Sequence, residues 1–473
     1  MLKPNMLEAK KRSKNSFDFE NFKLDKEYQN IGVGLTYCVK TYGCQMNEHD
    51  SENIKAILET MSFTELDDYE KADLVILNTC AIRENAHNKV FGLLGRLKHL
   101  KEERPSLMVG FCGCMAQEES VINELSEKYK WVDIIFGTHN IHELPKVLAK
   151  SIKEKVQDIE VYSIEGNVVE QMPVKRASKY KAWVNIMYGC DKFCTYCIVP
   201  YTRGKQRSRK KEDIIVEVEE LVKNGYQEVT LLGQNVNAYG KDLYDDYDMA
   251  SLLEDTAKTG IARIRFVTSH PWDFNSKMID VIAKYDNIMP YIHLPLQSGS
   301  NRVLKLMGIR YTKESYLALF DELKAKIPNV SITTDIIVGF PNETEEQFQN
   351  TLKLVREVGF EGAFTFIYSP REGTPAAKMK DNVSLEEKHD RLNRLIELTN
   401  QGYLKGHQRF VGQTVEVLVD EESKNGDGMM CGYSKHLKLT HFKSNDKSLI
   451  GKIVKVKVTE AKTWFMIGDL VED

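Results

Sequence analysis

Cys190, Cys194 and Cys197 lie in the run Tyr188-Gly-Cys-Asp-Lys-Phe-Cys-Thr-Tyr-Cys-Ile-Val-Pro, with three residues between the first pair and two between the second. That spacing lets one loop wrap a corner of an iron-sulfur cube with three thiolates and leave the fourth iron open. An open iron can chelate the amino and carboxylate groups of S-adenosylmethionine and pass an electron to its sulfonium, releasing a 5′-deoxyadenosyl radical. A zinc ribbon would need a second Cys pair or His ligands at matching spacing downstream. A structural disulfide does not suit a chain in which no secretory signal is read.

The other cysteines are Cys38, Cys44, Cys80, Cys112, Cys114 and Cys431. The elements that would position them alternate: strand Leu35–Val39, helix from about Asn47, strand Asp73–Asn78, helix from about Glu84, strand Leu107–Phe111, helix from about Gln117, strand Val132–Phe136. This alternation predicts an α/β fold with a doubly wound parallel sheet. Cys44, Cys80 and Cys114 each fall just past the carboxyl end of one of the first three strands, in Thr41-Tyr-Gly-Cys-Gln-Met-Asn, Asn78-Thr-Cys-Ala-Ile-Arg and Gly113-Cys-Met-Ala-Gln. Loops at that edge converge on one crevice. Three topologically equivalent thiols therefore point to a second three-cysteine 4Fe-4S cluster, its free iron open to exogenous sulfur. The alternative is three unrelated buried thiols. Cys38 and Cys112 read as core thiols within apolar strands. Cys112 is two residues from Cys114, and a strand would place both on one face; the glycine and the strand end favour Cys114 as the ligand. Cys431 stands alone.

From Ala182 a second series begins, with six strands predicted at Ala182–Met187, Glu228–Leu232, Arg263–Val267, Tyr291–Leu296, Ser331–Val338 and Ala363–Tyr368. Helical patterns lie near 212–224, 275–284, 314–326, 344–357 and 384–401. This suits a partial parallel (β/α)6 barrel, whose chemistry would sit at the carboxyl ends of its strands. Polar runs follow strands two to five, at Gly233-Gln234-Asn235, Ser269-His270-Pro271, Gln297-Ser298-Gly299-Ser300 and Gly339-Phe340-Pro341-Asn342-Glu343. They could hydrogen-bond the methionyl and ribose ends of the cofactor, although each is also ordinary turn chemistry. Gln234, Asn235, Ser298 and Asp335 are the candidate cofactor contacts. Asp335 is included because a carboxylate in an apolar strand needs a partner to offset its burial. His270 reads as loop-stabilising, and no catalytic residue is assigned beyond the cluster ligands.

Short alternating strands at Val415–Val419, Lys438–Thr440, Ile453–Thr459 and Thr463–Leu470 predict a small closed β-barrel starting near Gly406. Residues 435–462 hold eight Lys against Asp446 and Glu460, so 8 − 2 = +6, a charge that suits a polyanion. A second basic run, Arg203, Lys205, Arg207, Arg209, Lys210 and Lys211, follows the cysteine loop with no acid between Tyr201 and Lys211. Its cations would repel one another unless phosphate or solvent lay opposite. Arg203, Lys205, Arg207, Arg209, Lys435 and Lys438 are accordingly read as RNA-binding. The 473 residues, 42% of them hydrophobic, suffice for two or three cores, while the formal charge of −4 predicts nothing by itself. No apolar stretch approaches membrane-spanning length, and residues 1–30 read as a flexible tail without the apolar core of a signal peptide. Nine reduced or cluster-bound cysteines then point to the cytoplasm.

These motifs resemble the methylthiotransferases over about residues 33–473. The resemblance is carried by 188–204, which runs on as Tyr201-Thr-Arg-Gly, and by Leu231-Leu-Gly-Gln-Asn-Val-Asn. Met307-Gly-Ile-Arg-Tyr-Thr matches more loosely, lacking a second basic residue before Arg310. The implied organisation is a tail 1–30, an N-terminal cluster domain 33–150, a linker 151–180, a radical S-adenosylmethionine domain 181–405 and a TRAM domain 406–473. The resemblance adds Tyr196 and Arg310 to the cofactor contacts. It implies that one S-adenosylmethionine methylates sulfur at the Cys44, Cys80, Cys114 cluster and a second is cleaved at the Cys190, Cys194, Cys197 cluster. The methylthio group would join C2 of adenine in a tRNA carrying isopentenyladenosine, with a reductant and a sulfur donor as further partners; a monomer is expected. Sister branches act on threonylcarbamoyladenosine in tRNA or on a ribosomal-protein aspartate. A non-catalytic iron-sulfur RNA sensor would not need the complete barrel that residues 182–401 predict.

Overall fold

The computed structural model describes residues 2–11, 17–81, 84–424 and 428–471. Within these, Leu74–Thr79 is buried along its whole length and lies inside a six-stranded parallel sheet. The strand order is Thr64–Glu65, Thr36–Thr41, Leu74–Thr79, Met108–Gly113, Ile134–Phe136, Asp158–Glu160. Helices Glu84–Glu103 and Glu119–Lys128 cover one face through Val90, Leu94, Val121 and Leu125. Helices Gln45–Thr60 and Leu144–Glu154 cover the other through Ile54, Ile57, Leu144 and Leu148. Burial on both faces explains why Leu-Val-Ile-Leu reads as an unbroken apolar run rather than an alternating one.

Two expected boundaries shift. The predicted linker 151–180 contains the sheet's edge strand, Asp158–Glu160, and a further strand, Val168–Glu170. Within the predicted flexible tail 1–30, described segments lie against the body: Leu2 bridges Glu160, and Phe19–Asn21 pairs in parallel with Val168–Glu170. Phe22, Leu24 and Tyr28 pack on the core beneath helix Gln45–Thr60. Three-residue strands are too short to show a period, yet aromatic and Leu residues scattered among charges still gain by burial.

Strands Lys181–Asn185, Glu228–Leu232 and Arg263–Phe266 form one parallel sheet, and Tyr291–His293, Ser331–Val338 and Ala363–Ile367 form another. A parallel bridge between Ile264 and Ile288 joins the halves into an open barrel. The barrel also has a helix at Met249–Lys258 that was not foreseen, capped by Asp248, which accepts from the Ser251 amide.

Helix Leu385–Gln408 runs on through Gly406, so the expected boundary at 405/406 falls inside it. Beyond it, Thr414–Glu422, Met429–Ser434, Leu439–Lys443, Met466–Leu470 and Ile453–Ala461 close a β-barrel. Met429–Ser434 is a strand that the sequence pattern does not signal, because Met-Met-Cys-Gly-Tyr-Ser shows no alternation. The barrel is fastened to the larger domain by Arg263, which is fully buried and donates to the backbone oxygens of Tyr433 (2.8 Å) and Glu416 (2.9 Å). Among the described residues no helix is long and apolar enough to cross a membrane.

Candidate active site at the seam between two cysteine sets

Cys44 occupies the N-cap position of helix Gln45–Thr60, Cys80 follows strand Leu74–Thr79, and Cys114 opens a short 3-10 turn. A Cβ on Gly43 would lie 2.6 Å from Cys80 Cβ, so the first two loops touch. Gly113 turns the third strand at φ +91°, where a Cβ would meet the Thr79 carbonyl oxygen at 2.3 Å. That turn corrects the expectation that Cys112 and Cys114 share a face. Cys112 stays in the sheet core with Ile76 and Ile134, while Cys114 joins Ala81, Ile198 and Tyr201. The Ile82 and Arg83 of the second motif lie outside the described residues. Asn47, fully buried, links the set: its Oδ1 accepts from Cys44 Sγ at 3.5 Å and lies 4.0 Å from Cys114 Sγ, while its Nδ2 donates to the Thr79 oxygen at 2.8 Å.

Burial pushes the Cys114 thiol up to about 12; Arg203 opposes this, and Cys80 and Cys44 add to it. Cys190 is likewise pushed up to about 12 by burial, against the Lys192 amide and with Cys194. The metal-free thiols of Cys114 and Cys190 are therefore protonated at neutral pH, and ligation, which needs thiolates, releases protons and is favoured as pH rises. Among the described residues no three Cys, His, Asp or Glu side chains close tightly enough for a single metal ion.

The second set is held by its own loop. Cys197 N donates to Cys194 O at 3.0 Å and Cys190 N to Gly204 O at 3.1 Å, while Thr195 bonds Met307 O through its amide and Leu306 O through its hydroxyl. The loop sits at the carboxyl mouth of the open barrel. There Gln234 accepts from the Gly189 amide, and Asn235 Nδ2 donates to Asp273, which also pairs with Lys192 and Lys241. Asn235 Oδ1, Ser269 Oγ and Gln297 Oε1 are buried there without hydrogen-bond partners among the described residues. Thr268 and Gln297 adopt positive φ, as strained residues at functional sites do. Orphaned oxygens beside a three-thiol loop fit a polar ligand that supplies donors, as the amino and hydroxyl groups of S-adenosylmethionine would. Among the other expected contacts, Asp335 finds its partner in His293 Nε2 at 3.3 Å, and Ser298 Oγ accepts from the Ser300 amide. Tyr196 meets Phe340 edge-on, Arg310 lies 4.6 Å over the Trp272 ring, and His270 accepts from the Trp272 amide.

The two sets face each other. Cys44 and Met46 pack with Leu232 and Val267 from the barrel strand ends, and Cys114 packs with Ile198 and Tyr201 just beyond Cys197. The carboxyl edge of the sheet thus meets the carboxyl mouth of the barrel. Residues 36–137 match the uncharacterized protein family UPF0004, 184–355 the radical SAM superfamily and 408–471 the TRAM domain. A tRNA-2-methylthio-N(6)-dimethylallyladenosine synthase of Bacillus cytotoxicus is 57% identical over 99% of this chain and 92% of its own length. The chain belongs to that synthase family. A member from Geobacillus kaustophilus is 55% identical over 100% of the chain and 89% of its own length. Among solved structures, the radical S-adenosylmethionine methyltransferase TsrM from Kitasatospora setae, with cobalamin and a 4Fe-4S cluster bound, covers 73% of this chain and 74% of its own. At 13% identity and a TM-score of 0.52 it shares the fold alone.

In this methylthiotransferase the three arginines of the basic run after Cys197 are turned into the protein. Arg203 is buried against Asp50, Arg209 is buried between Glu170 and Glu217, and Arg207 is buried against Gly166 O. For Arg203 and Arg209 the expected mutual repulsion is offset by the acids Asp50, Glu170 and Glu217. Lys438 is likewise buried on Glu361, and Lys435 pairs with Glu416; of the six expected RNA contacts, Lys205 is half-buried with none of these constraints. Arg209→Met should therefore lower the stability of the apo chain by about 3–5 kcal/mol, the usual cost of stranding buried carboxylates. Chemical denaturation would read this as an earlier midpoint, with the salt dependence of tRNA binding unchanged. A phosphate contact would give the reverse pattern.

Proposed function

We propose that this chain methylthiolates C2 of N6-isopentenyladenosine next to the anticodon in tRNA, giving 2-methylthio-N6-dimethylallyladenosine. The observation that carries the reading is the seam, where two partly buried three-cysteine sets from different domains open toward one another. Cys190, Cys194 and Cys197 would hold one 4Fe-4S cluster with S-adenosylmethionine, and Cys44, Cys80 and Cys114 a second. When bound, these groups supply a carbon-centred radical and a methylated sulfur, which the reaction requires because an aromatic C2–H is too weakly acidic for any side-chain base. Asn235, Ser269 and Gln297 would accept hydrogen bonds from the nucleotide cofactor, with Tyr196, Gln234, Ser298, Arg310 and Asp335 around it. Tyr201 and Ile198 would keep water from the space between the two sets.

The C-terminal barrel would meet the tRNA backbone through surface lysines, of which Lys443, Lys452 and Lys457 are exposed. An external reductant and sulfur donor would serve a monomer in the cytoplasm, where its tRNA substrate lies. Anaerobic incubation with S-adenosylmethionine, reductant and anticodon stem-loops bearing unmodified, isopentenylated or threonylcarbamoylated adenosine, followed by nucleoside mass spectrometry, tests the assignment. Methylthio product is expected on the isopentenylated loop alone. Product on the threonylcarbamoylated loop instead would transfer the chain's substrate to the sister branch.

A further inference from the structure

Arg203 stands six residues beyond Cys197, just past the short helix Val199–Thr202, yet its side chain ends beside the other cysteine set. It is buried, with Nη2 2.6 Å from Asp50 Oδ2 and 3.1 Å from Asn47 Oδ1. Asn47 and Asp50 are three apart on helix Gln45–Thr60 and so share a face. Because Asn47 Nδ2 is committed to the Thr79 and Tyr42 carbonyls, its Oδ1 is fixed toward Cys44 and Cys114. A thiolate cannot donate to that oxygen. Once the cysteines are deprotonated, Arg203 remains as a donor to Asn47 Oδ1 beside sulfur, and among the described residues it is the cation bonded into this network.

We propose that Arg203 is a positioning residue for the N-terminal cysteine site: its charge offsets the thiolates of Cys44, Cys80 and Cys114, Asp50 moderates that charge, and its place on the other cysteine loop keeps the two sets in register. The inference rests on the reading of those three cysteines as cluster ligands. It makes opposite demands on the two members of one ion pair. Losing the cation should make reduction of the N-terminal cluster harder, whereas losing the carboxylate should make it easier, because buried charges act through a low dielectric. An ion pair that only stabilised the fold would move the potential in neither pattern.

The test uses the full chain carrying Cys190→Ala, Cys194→Ala and Cys197→Ala, so that iron loads at the N-terminal site alone, followed by redox titration monitored by electron paramagnetic resonance. Arg203→Gln should lower the ratio of reduced to oxidised cluster at fixed potential about tenfold, equivalent to ~59 mV for a one-electron couple. Asp50→Asn should shift it in the opposite direction, and Arg203→Lys should stay near the parent. Shifts of the same sign, or none, in iron-loaded variants would overturn the proposal. Should Arg203→Gln fail to load, Asp50→Asn decides: it keeps the cation and nearly the same shape, so iron loss or an unmoved potential also overturns it. If the parent itself binds no iron, the cluster reading fails first and takes this inference with it.

Discussion

Replacing Cys190, Cys194 and Cys197 together with Ala should abolish formation of 5′-deoxyadenosine and reduce the iron of anaerobically reconstituted protein from about eight atoms per chain to about four. The loop that carries these residues is anchored independently of its thiols, through Thr195 to Leu306 and Met307 and through the packing of Ile198 and Tyr201. The variant should therefore keep its fold, its tRNA affinity and its N-terminal iron. Thiol removal acts on ligation alone: without three sulfurs no iron is left to take the amino and carboxylate groups of S-adenosylmethionine. Liquid chromatography of the quenched reaction reads the nucleoside directly. Nucleoside formation at the parent rate would show that cleavage does not depend on this loop, and iron falling to zero would show that the two sets do not load separately.

Both cysteine sets were legible in the sequence for different reasons. Cys190, Cys194 and Cys197 are close in sequence, so spacing alone carries their geometry. Cys44, Cys80 and Cys114 are joined by topology instead: Leu74–Thr79 and Met108–Gly113 are buried on both faces and read as apolar blocks, whereas Thr36–Thr41 is only partly buried and is placed by its position at the head of the alternation. What spacing cannot carry is the identity of a distant counter-charge. Arg203 meets Asp50 across 153 residues and Arg209 meets Glu170 across 39, so a window around residue 205 shows cations without acids. The same limit hid Lys438 on Glu361, 77 residues away. Asn47 was in view within Cys44-Gln-Met-Asn, and its three-residue offset from Asp50 was the available hint that this face of the helix is polar and buried. Strand alternation puts Cys112 and Cys114 on one face only if it continues past Gly113, where the positive φ ends the strand.

Replacing Cys44, Cys80 and Cys114 with Ala should give the complementary result: iron halved to about four atoms per chain, methylthio product lost, and cleavage of S-adenosylmethionine retained. The separation follows from where the sets sit. The N-terminal thiols rise from the sheet and the others from the barrel loop, and they meet at packing contacts rather than through shared ligands. Small-to-small changes at the rim of the sheet core should leave its two helical layers intact, since Ile54, Leu144, Val90 and Leu125 do not depend on them. Cys112→Ala is the internal control. Cys112 lies in the sheet core with Ile76 and Ile134, so the change should cost packing but leave iron near the parent value. A large iron loss in that single variant would make Cys112 a ligand in place of Cys114, and full iron in the triple variant would remove the second cluster altogether. Methylthio product from the triple variant would show that sulfur reaches the adenine by a route other than this site.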